Sequence, residues 1–141
     1  MKKHASLSKL LLLVVFVSIF IFISCDEDEN CNDTICTTEF VVITITVKDQ
    51  NQNPVILDSI QIINKVSRIP LTPFSSDLVA APESGQYALI SDGDIDDNQT
   101  LELEFKGFKN GTEIINKDYI VAADCCHVRL ISGELELVVN Q

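Results

Sequence analysis

Apolar and polar residues alternate, one position in two, along much of this chain, and this pattern most constrains its fold. The stretch "EFVVITITVK", residues 39–48, places Val and Ile on one face and threonines on the other. "TLELEF", residues 100–105, alternates in the same way, with Leu101, Leu103 and Phe105 expected to point inward. Successive side chains of a strand point to opposite faces, so this period predicts half-buried β-strands.

Turn-forming residues separate the alternating runs. "DQNQNP" follows the first run, and "VILDSIQIINKV" then resumes alternation through Ile56, Ile60 and Ile62. Residues 68–85 contain three prolines and predict an irregular crossover. The pair Asn110-Gly111 between two runs indicates a hairpin. About seven short strands within about 100 residues predict an all-β fold, an antiparallel β-sandwich such as the immunoglobulin-like type.

The first 24 residues have the order of an export signal. Lys2, Lys3 and Lys9 precede an apolar run, residues 10–23, that only Ser18 interrupts. This run is shorter than the roughly 20 residues that span a bilayer, and it matches the apolar part of a signal peptide. We therefore predict a signal peptide over residues 1–24.

The end of this signal resembles the lipobox of bacterial lipoproteins, in which a small residue precedes the cysteine that receives the lipid. Ser24 and Cys25 match that pattern, whereas Phe22 and Ile23 depart from it. The resemblance implies cleavage before Cys25 and a lipid anchor on its sulfur, which would hold the protein to a membrane. The alternatives are an ordinary secretory signal or a short membrane anchor.

Four acids, residues 26–29, follow Cys25. They resemble the acidic export tract of surface lipoproteins of the Bacteroidota, which implies an outer-membrane protein exposed on the cell surface. A block of like charges also repels itself and stays extended as a tether. We predict an acidic tether with cysteines over residues 25–38 and a β-sandwich domain over residues 39–141.

The charge balance narrows the range of partners. The chain has 10 basic and 21 acidic residues, and loss of Lys2, Lys3 and Lys9 with the signal lowers its net charge from −11 to −14. Such a charge argues against nucleic acid, whose phosphates require a positive surface. It also disfavours peripheral binding to anionic lipid, whereas a cationic partner remains compatible.

A second resemblance concerns the strands. The pattern of a strand, Asp49, a polar turn, Pro54-Val55 and a later Gly85-x-Tyr87 is similar to that of transthyretin-like, carboxypeptidase-regulatory-like domains. This sequence has Asn53 where those domains usually have glycine. The resemblance implies a binding or spacer module rather than an enzyme.

Four further cysteines indicate disulfides, which persist in exported proteins. A bond between neighbours would need a strained ring, so two pairings stay open, both joining the N-terminal segment to "DCCH". Strand alternation places Cys126 beside Val128 and Leu130 as a buried residue, which favours one of these pairings. The favoured pairs are Cys31 with Cys125 and Cys36 with Cys126.

Two chemical alternatives use His127. Thiolates and an imidazole suit zinc, but the spacing C-x4-C with an adjacent pair is not that of a zinc site. His127 would also have to serve any serine or cysteine nucleophile, and no motif places a nucleophile or an orienting acid beside it. We therefore expect no catalytic residues, no zinc and no cofactor.

The loop "DGDIDDNQT", residues 92–100, is a calcium candidate, because oxygen-bearing residues recur in it as in a calcium loop. It lacks the glycine and the terminal glutamate of an EF-hand, so a solvated hairpin turn is preferred. The candidate ligands are Asp92, Asp94, Asp96, Asp97 and Asn98.

Other features bear on modification and partners. Asp33-Thr34-Ile35 resembles the O-glycosylation sites of Bacteroidota exported proteins, which makes Thr34 a candidate, ahead of Ser59 in a predicted strand. Tyr87 or Tyr119 could serve a glycan, although core packing is the expected fate of the aromatic residues. We predict a non-catalytic, lipid-anchored surface module with an unknown protein or glycan partner. The alternative is a small exported enzyme that uses unrecognised carboxylates.

Overall fold

The computed structural model describes residues 31–73 and 81–140; the predicted signal peptide, Cys25 and the acidic tract lie outside them. Within these ranges no helix is long and apolar enough to cross a membrane. The described part of the chain contains two short 3-10 turns, Cys31–Asp33 and Pro82–Ser84. The strands are β1 (Val42–Asp49), β2 (Ser59–Asn64), β3 (Pro70–Leu71), β4 (Gln86–Ser91), β5 (Thr100–Lys109), β6 (Thr112–Ala123), β7 (Val128–Ser132) and β8 (Glu136–Val139).

The strands form two sheets, one in the order β4-β1-β8 and one in the order β3-β2-β5-β6-β7. The prediction of an all-β fold is confirmed. The expectation of a purely antiparallel arrangement is wrong, because β1 and β8 run parallel, with Thr46 opposite Glu136. The two-residue strand β3 lies inside the proline-rich segment that was predicted to be irregular.

Both sheets contribute to one hydrophobic core. In β1, Ile43, Ile45 and Val47 are buried, and the intervening threonines are partly exposed. Leu103 and Phe105 of β5 are 0% exposed, so the predicted inward face of this strand is confirmed. The period of two therefore identified the core-facing sides of the two longest alternating runs.

The second predicted run departs from its expected alternation. Ile56, expected to point inward, is 49% exposed, and its neighbours Val55 and Leu57 are buried instead. The segment leaves one sheet for the other here: the Val55 N–H donates to the Val47 carbonyl, and the Asp58 N–H donates to that of Phe108. Because the chain changes sheet before β2 begins, the inward positions shift by one.

Hydrogen bonds of Asp49 and Tyr87 hold this crossover in place. Asp49 accepts hydrogen bonds from the N–H groups of Asn51 and Asn53 at 2.7 and 2.9 Å. The buried hydroxyl of Tyr87 donates to the Val55 carbonyl at 3.1 Å and accepts from the Leu57 N–H at 2.6 Å. In this structure Tyr87 positions the backbone of the crossover, and its hydroxyl is occupied there.

Candidate functional site: a clamp on the N-terminal segment

Two disulfides fasten the N-terminal segment to the domain. Cys31 is bonded to Cys125 and Cys36 to Cys126, with Cα–Cα distances of 5.2 and 5.3 Å. This is the favoured pairing, but its structural argument was wrong. Cys125 and Cys126 lie in the turn between β6 and β7 rather than in a strand, and Cys126 is only partly buried.

Asp124 builds the turn that carries these cysteines. Its Oδ1 atom accepts hydrogen bonds from the N–H groups of Cys126 and His127 at 2.8 and 2.9 Å. Bonds between the backbone of this turn and the carboxylate lower the pKa of Asp124. An aspartate that bonds the backbone two and three residues on is a common way to stabilise a tight turn. The turn thereby presents both cysteines and His127 to the N-terminal segment.

His127 makes a third link between the segment and the domain. Its Nδ1 atom lies 2.9 Å from Oδ2 of Asp92, and its Nε2 atom lies 2.9 Å from the hydroxyl of Thr37. We call the two disulfides together with Thr37, His127 and Asp92 the N-terminal clamp.

The Asp92 carboxylate has three hydrogen-bond partners, one of them His127. Its Oδ2 atom accepts from the Val41 N–H at 2.8 Å, and Oδ1 accepts from the Val128 N–H at 2.7 Å. Burial by itself would raise the pKa of Asp92, but the hydrogen bonds from Val41, Val128 and His127 outweigh it, so the pKa is lowered. One carboxylate thus joins the residue before β1, the end of β4 and the start of β7.

Sequence reasoning missed the clamp's polar part. His127 was judged to lack an orienting acid, and the structure supplies Asp92, which is 35 positions away. The order hydroxyl, imidazole, carboxylate is that of a hydrolase triad. No local signal identifies these partners, since Thr37 lies 90 positions from His127 and only the fold brings them together.

Residues of the acidic loop form hydrogen bonds with other parts of the protein. Asp94 accepts from the N–H and hydroxyl of Ser91 at 2.8 and 2.5 Å, and Asn98 donates to the Cys31 sulfur at 3.1 Å. Asp96 and Asp97 are exposed. The loop joins β4 of one sheet to β5 of the other, so the expectation of a hairpin turn is wrong.

The zinc and calcium sites considered from the sequence can be compared with this geometry. Among residues 31–73 and 81–140, no three His, Cys, Asp or Glu side chains are grouped so that they could hold a metal ion. Zinc would also need thiolates, whereas the four cysteines are joined in disulfides.

The two glycosylation candidates are both accessible. Thr34 is exposed between the two bridged cysteines of the segment, and its N–H donates to the Cys31 carbonyl. Ser59 is exposed as the first residue of β2. Glycosylation of Thr34 remains a prediction.

No family model, no curated protein and no solved structure matches this chain.

Proposed function

We propose that this protein is a non-catalytic, lipid-anchored module of the cell surface, attached to the outer membrane through Cys25. Its domain would be a β-sandwich of immunoglobulin-like or transthyretin-like type that binds a partner or acts as a spacer. The observation that carries the proposal is the N-terminal clamp, because it fastens the chain to the domain six positions after the proposed lipid site.

With a lipid on Cys25, the clamp would determine which end of the domain lies near the membrane. An extended chain covers about 3.3–3.6 Å per residue, so the link from Cys25 to Cys31 spans at most about 22 Å. The clamp contacts the end of the sheets where β1, β5 and β7 begin. This end would face the membrane, and the acidic tract would occupy the gap.

Three further observations support the proposal. Disulfides are typical of exported proteins, and the clamp contains two. The two sheets pack around one core, as a sandwich requires. The residues similar to transthyretin-like domains form one coherent crossover between β1 and β2.

The anchor is tested by mass spectrometry of the full chain expressed in a Gram-negative host. We expect a mature N-terminus at Cys25 that carries lipid and partitions into detergent. Cys25→Ala should abolish the lipid, whereas Ser24→Ala, which keeps a small residue, should not. An unmodified N-terminus at another residue would contradict the proposal.

Surface exposure is tested by adding protease to whole cells. The wild-type domain should be digested, and replacing the four acids of residues 26–29 by their amides should protect it. A wild-type domain that resists digestion on intact cells but is cleaved after lysis would place the protein inside the envelope.

The clamp also favours a second candidate, a small hydrolase. Thr37 would attack the acyl carbon of an ester, and His127 would take the hydroxyl proton and give it to the departing alcohol as the ester C–O bond breaks, while Asp92 orients the imidazole. Water, deprotonated by the same imidazole, would then release the acid and restore the Thr37 hydroxyl. Hydrolysis of p-nitrophenyl acetate should then fall on Thr37→Val and be unchanged on Thr38→Val, the adjacent exposed threonine. Equal rates for the two variants would exclude this candidate.

A further inference from the structure

One side of the molecule presents two open sheet edges to a common groove. Strand β8 ends the three-stranded sheet. Strand β7 pairs only with Ile120–Ala123 of β6, so in the described part of the chain the first half of β6 also has no neighbour on that side. The groove between the two edges has a volume of about 460 Å³. Its lining includes Ile114 and Lys117 of β6, Glu134, and Leu137, Val138 and Val139 of β8.

The backbone of β8 directs hydrogen-bonding groups into this groove. The Thr46 N–H donates to the Leu135 carbonyl at 2.7 Å. In a parallel pair of strands, every second residue directs its N–H and C=O groups to the same neighbour. The backbone groups of Leu137 and Val139 therefore also point toward β1. Glu136 and Val138 therefore turn their N–H and C=O groups away from β1, toward the open side.

The side chains of the groove are partly apolar. Leu137 and Val139 are buried in the core, whereas Val138 is 56% exposed. Ile114 of β6 is partly buried against the core from the other side. An open edge beside an apolar groove is the geometry in which proteins add a strand from a partner, with backbone hydrogen bonds for affinity and side-chain contacts for selectivity.

The position of the groove fits an outside partner. Its β6 residues Ile115–Lys117 pair with the second half of β5, close to the Asn110-Gly111 turn. The clamp binds the opposite end of these strands, where β6 finishes and β7 begins. If the clamp faces the membrane, the groove faces away from it.

The charges favour a basic occupant. Every lysine of the described residues already forms an ion pair with an acid. Glu134 in the groove lining pairs with Lys117, and Glu136 of β8 pairs with Lys48, although both acid side chains stay largely exposed, at 69% and 74%. These pairs balance locally, so the preference for a basic occupant follows from the excess of acidic over basic residues in the chain, 21 against 10. A second copy of the chain, with a net charge of −11 before any cleavage, would bring like charges together.

We propose that this groove binds an extended, lysine- or arginine-bearing segment of a partner protein, which adds a strand beside β8. The segment would bond to the backbone of Glu136 and Val138 and place apolar side chains against Val138 and Ile114. The proposal rests on the proposed function as a binding module, and it names the class of partner.

The probe is a capped seven-residue peptide in which lysine and valine alternate. In the free protein the amide hydrogens of Glu136 and Val138 should exchange rapidly with solvent. With the peptide their exchange should slow at least tenfold, as measured by NMR. The fully N-methylated peptide, which cannot donate, and a peptide with glutamate in place of lysine should bind at least tenfold more weakly.

Val138→Pro is the matching protein variant. It removes an N–H that faces the groove rather than β1, so the sheet should tolerate it, as edges tolerate proline. We expect at least tenfold weaker peptide binding, with Val138→Thr, which keeps the N–H, close to wild type. If Val138→Pro does not fold, binding of the N-methylated peptide to the wild-type protein tests whether backbone hydrogen bonds contribute to affinity.

Three results would overturn the proposal: equal binding of the acidic peptide, protection at other amides only, or concentration-dependent protection of Glu136 and Val138 without peptide, which would identify a second copy as the occupant. None of these bears on the lipid at Cys25, so a failure here is distinguishable from a failure of the anchor.

Discussion

At the scale of single residues, Asp92 connects parts of the chain that are far apart in sequence. Its two oxygens accept from the backbone before β1 and at the start of β7, and one of them also contacts His127. A carboxylate with several donors is stabilised in its charged form, and its loss leaves those donors without their acceptor.

We predict that Asp92→Asn lowers the free energy of unfolding by about 1–3 kcal/mol, because an amide nitrogen would face N–H donors. Since the folded pKa of Asp92 lies below 3.8, its contribution is present above about pH 4 and is lost as the pH falls further. Urea unfolding followed by circular dichroism should show a weaker acid dependence in the variant. Asp96→Asn, in the exposed part of the same loop, should leave both quantities unchanged.

Tyr119 is expected to affect the stability of the protein at alkaline pH. Burial, followed by the negative charge of Glu134, raises the pKa of Tyr119 to about 12, and its hydroxyl donates to the Glu134 carbonyl at 2.7 Å. The stability that comes from keeping this phenol neutral is present below about pH 10 and is lost as the pH rises toward 12.

We therefore expect Tyr119→Phe to be less stable by about 1 kcal/mol at neutral pH, through the lost hydrogen bond. The variant should lose less stability than wild type when unfolding is repeated up to pH 11. An identical pH dependence for the two proteins would show that Tyr119 does not control the alkaline behaviour.

At the scale of elements, the clamp converts a terminal segment into part of the domain. Residues 31–38 were predicted to belong to the tether, and both disulfides fasten them to the turn between β6 and β7. Either bridge alone closes a loop of about 90 residues, so on the chain-entropy model the first bridge stabilises by about 4–5 kcal/mol and the second by less.

We predict strongly non-additive effects of removing the bridges. The pair Cys31→Ser with Cys125→Ser, or Cys36→Ser with Cys126→Ser, should cost clearly less than half of what all four serines cost. Urea unfolding of the three variants measures this. Additive losses would show that each bridge acts through local packing rather than by closing the long loop.

At the scale of the whole molecule, the clamp and the proposed lipid would together orient the domain relative to the membrane. Asp97 lies at the clamped end, next to Asn98 and its contact with Cys31. Gln52 lies in the turn after β1, at the other end of an eight-residue strand of about 26 Å. If all four bridged cysteines were replaced by serine, the tether would run from Cys25 to the start of β1. Its fully extended length would then be about 55 Å.

Energy transfer to a membrane dye, from fluorescent unnatural amino acids at Asp97 or at Gln52, tests this orientation. In lipidated wild-type protein, Asp97 should lie closer to the membrane than Gln52 by about 20–25 Å. In the four-serine variant, this difference should largely disappear. Equal distances in the wild type would show that the clamp does not orient the domain.

The sequence alone determined the features that depend on near neighbours. The inward faces of β1 and β5 follow from side chains two positions apart, and the Asn110-Gly111 turn follows from the positive φ angles that these residues tolerate, here 50° and 73°. A disulfide between the neighbours Cys125 and Cys126 would be strained, so the sequence already predicted that both cysteines bond to the N-terminal segment.

Only the tertiary structure decided the rest. The parallel placement of β8, the shifted alternation at Ile56, the contact of Asp92 with His127 and Thr37, and the two open edges all depend on which distant segments pack together. The alternation of apolar and polar residues indicates which side of a strand faces the core. It does not state which strand lies beside it, because that depends on the burial and hydrogen bonding summed over the whole chain.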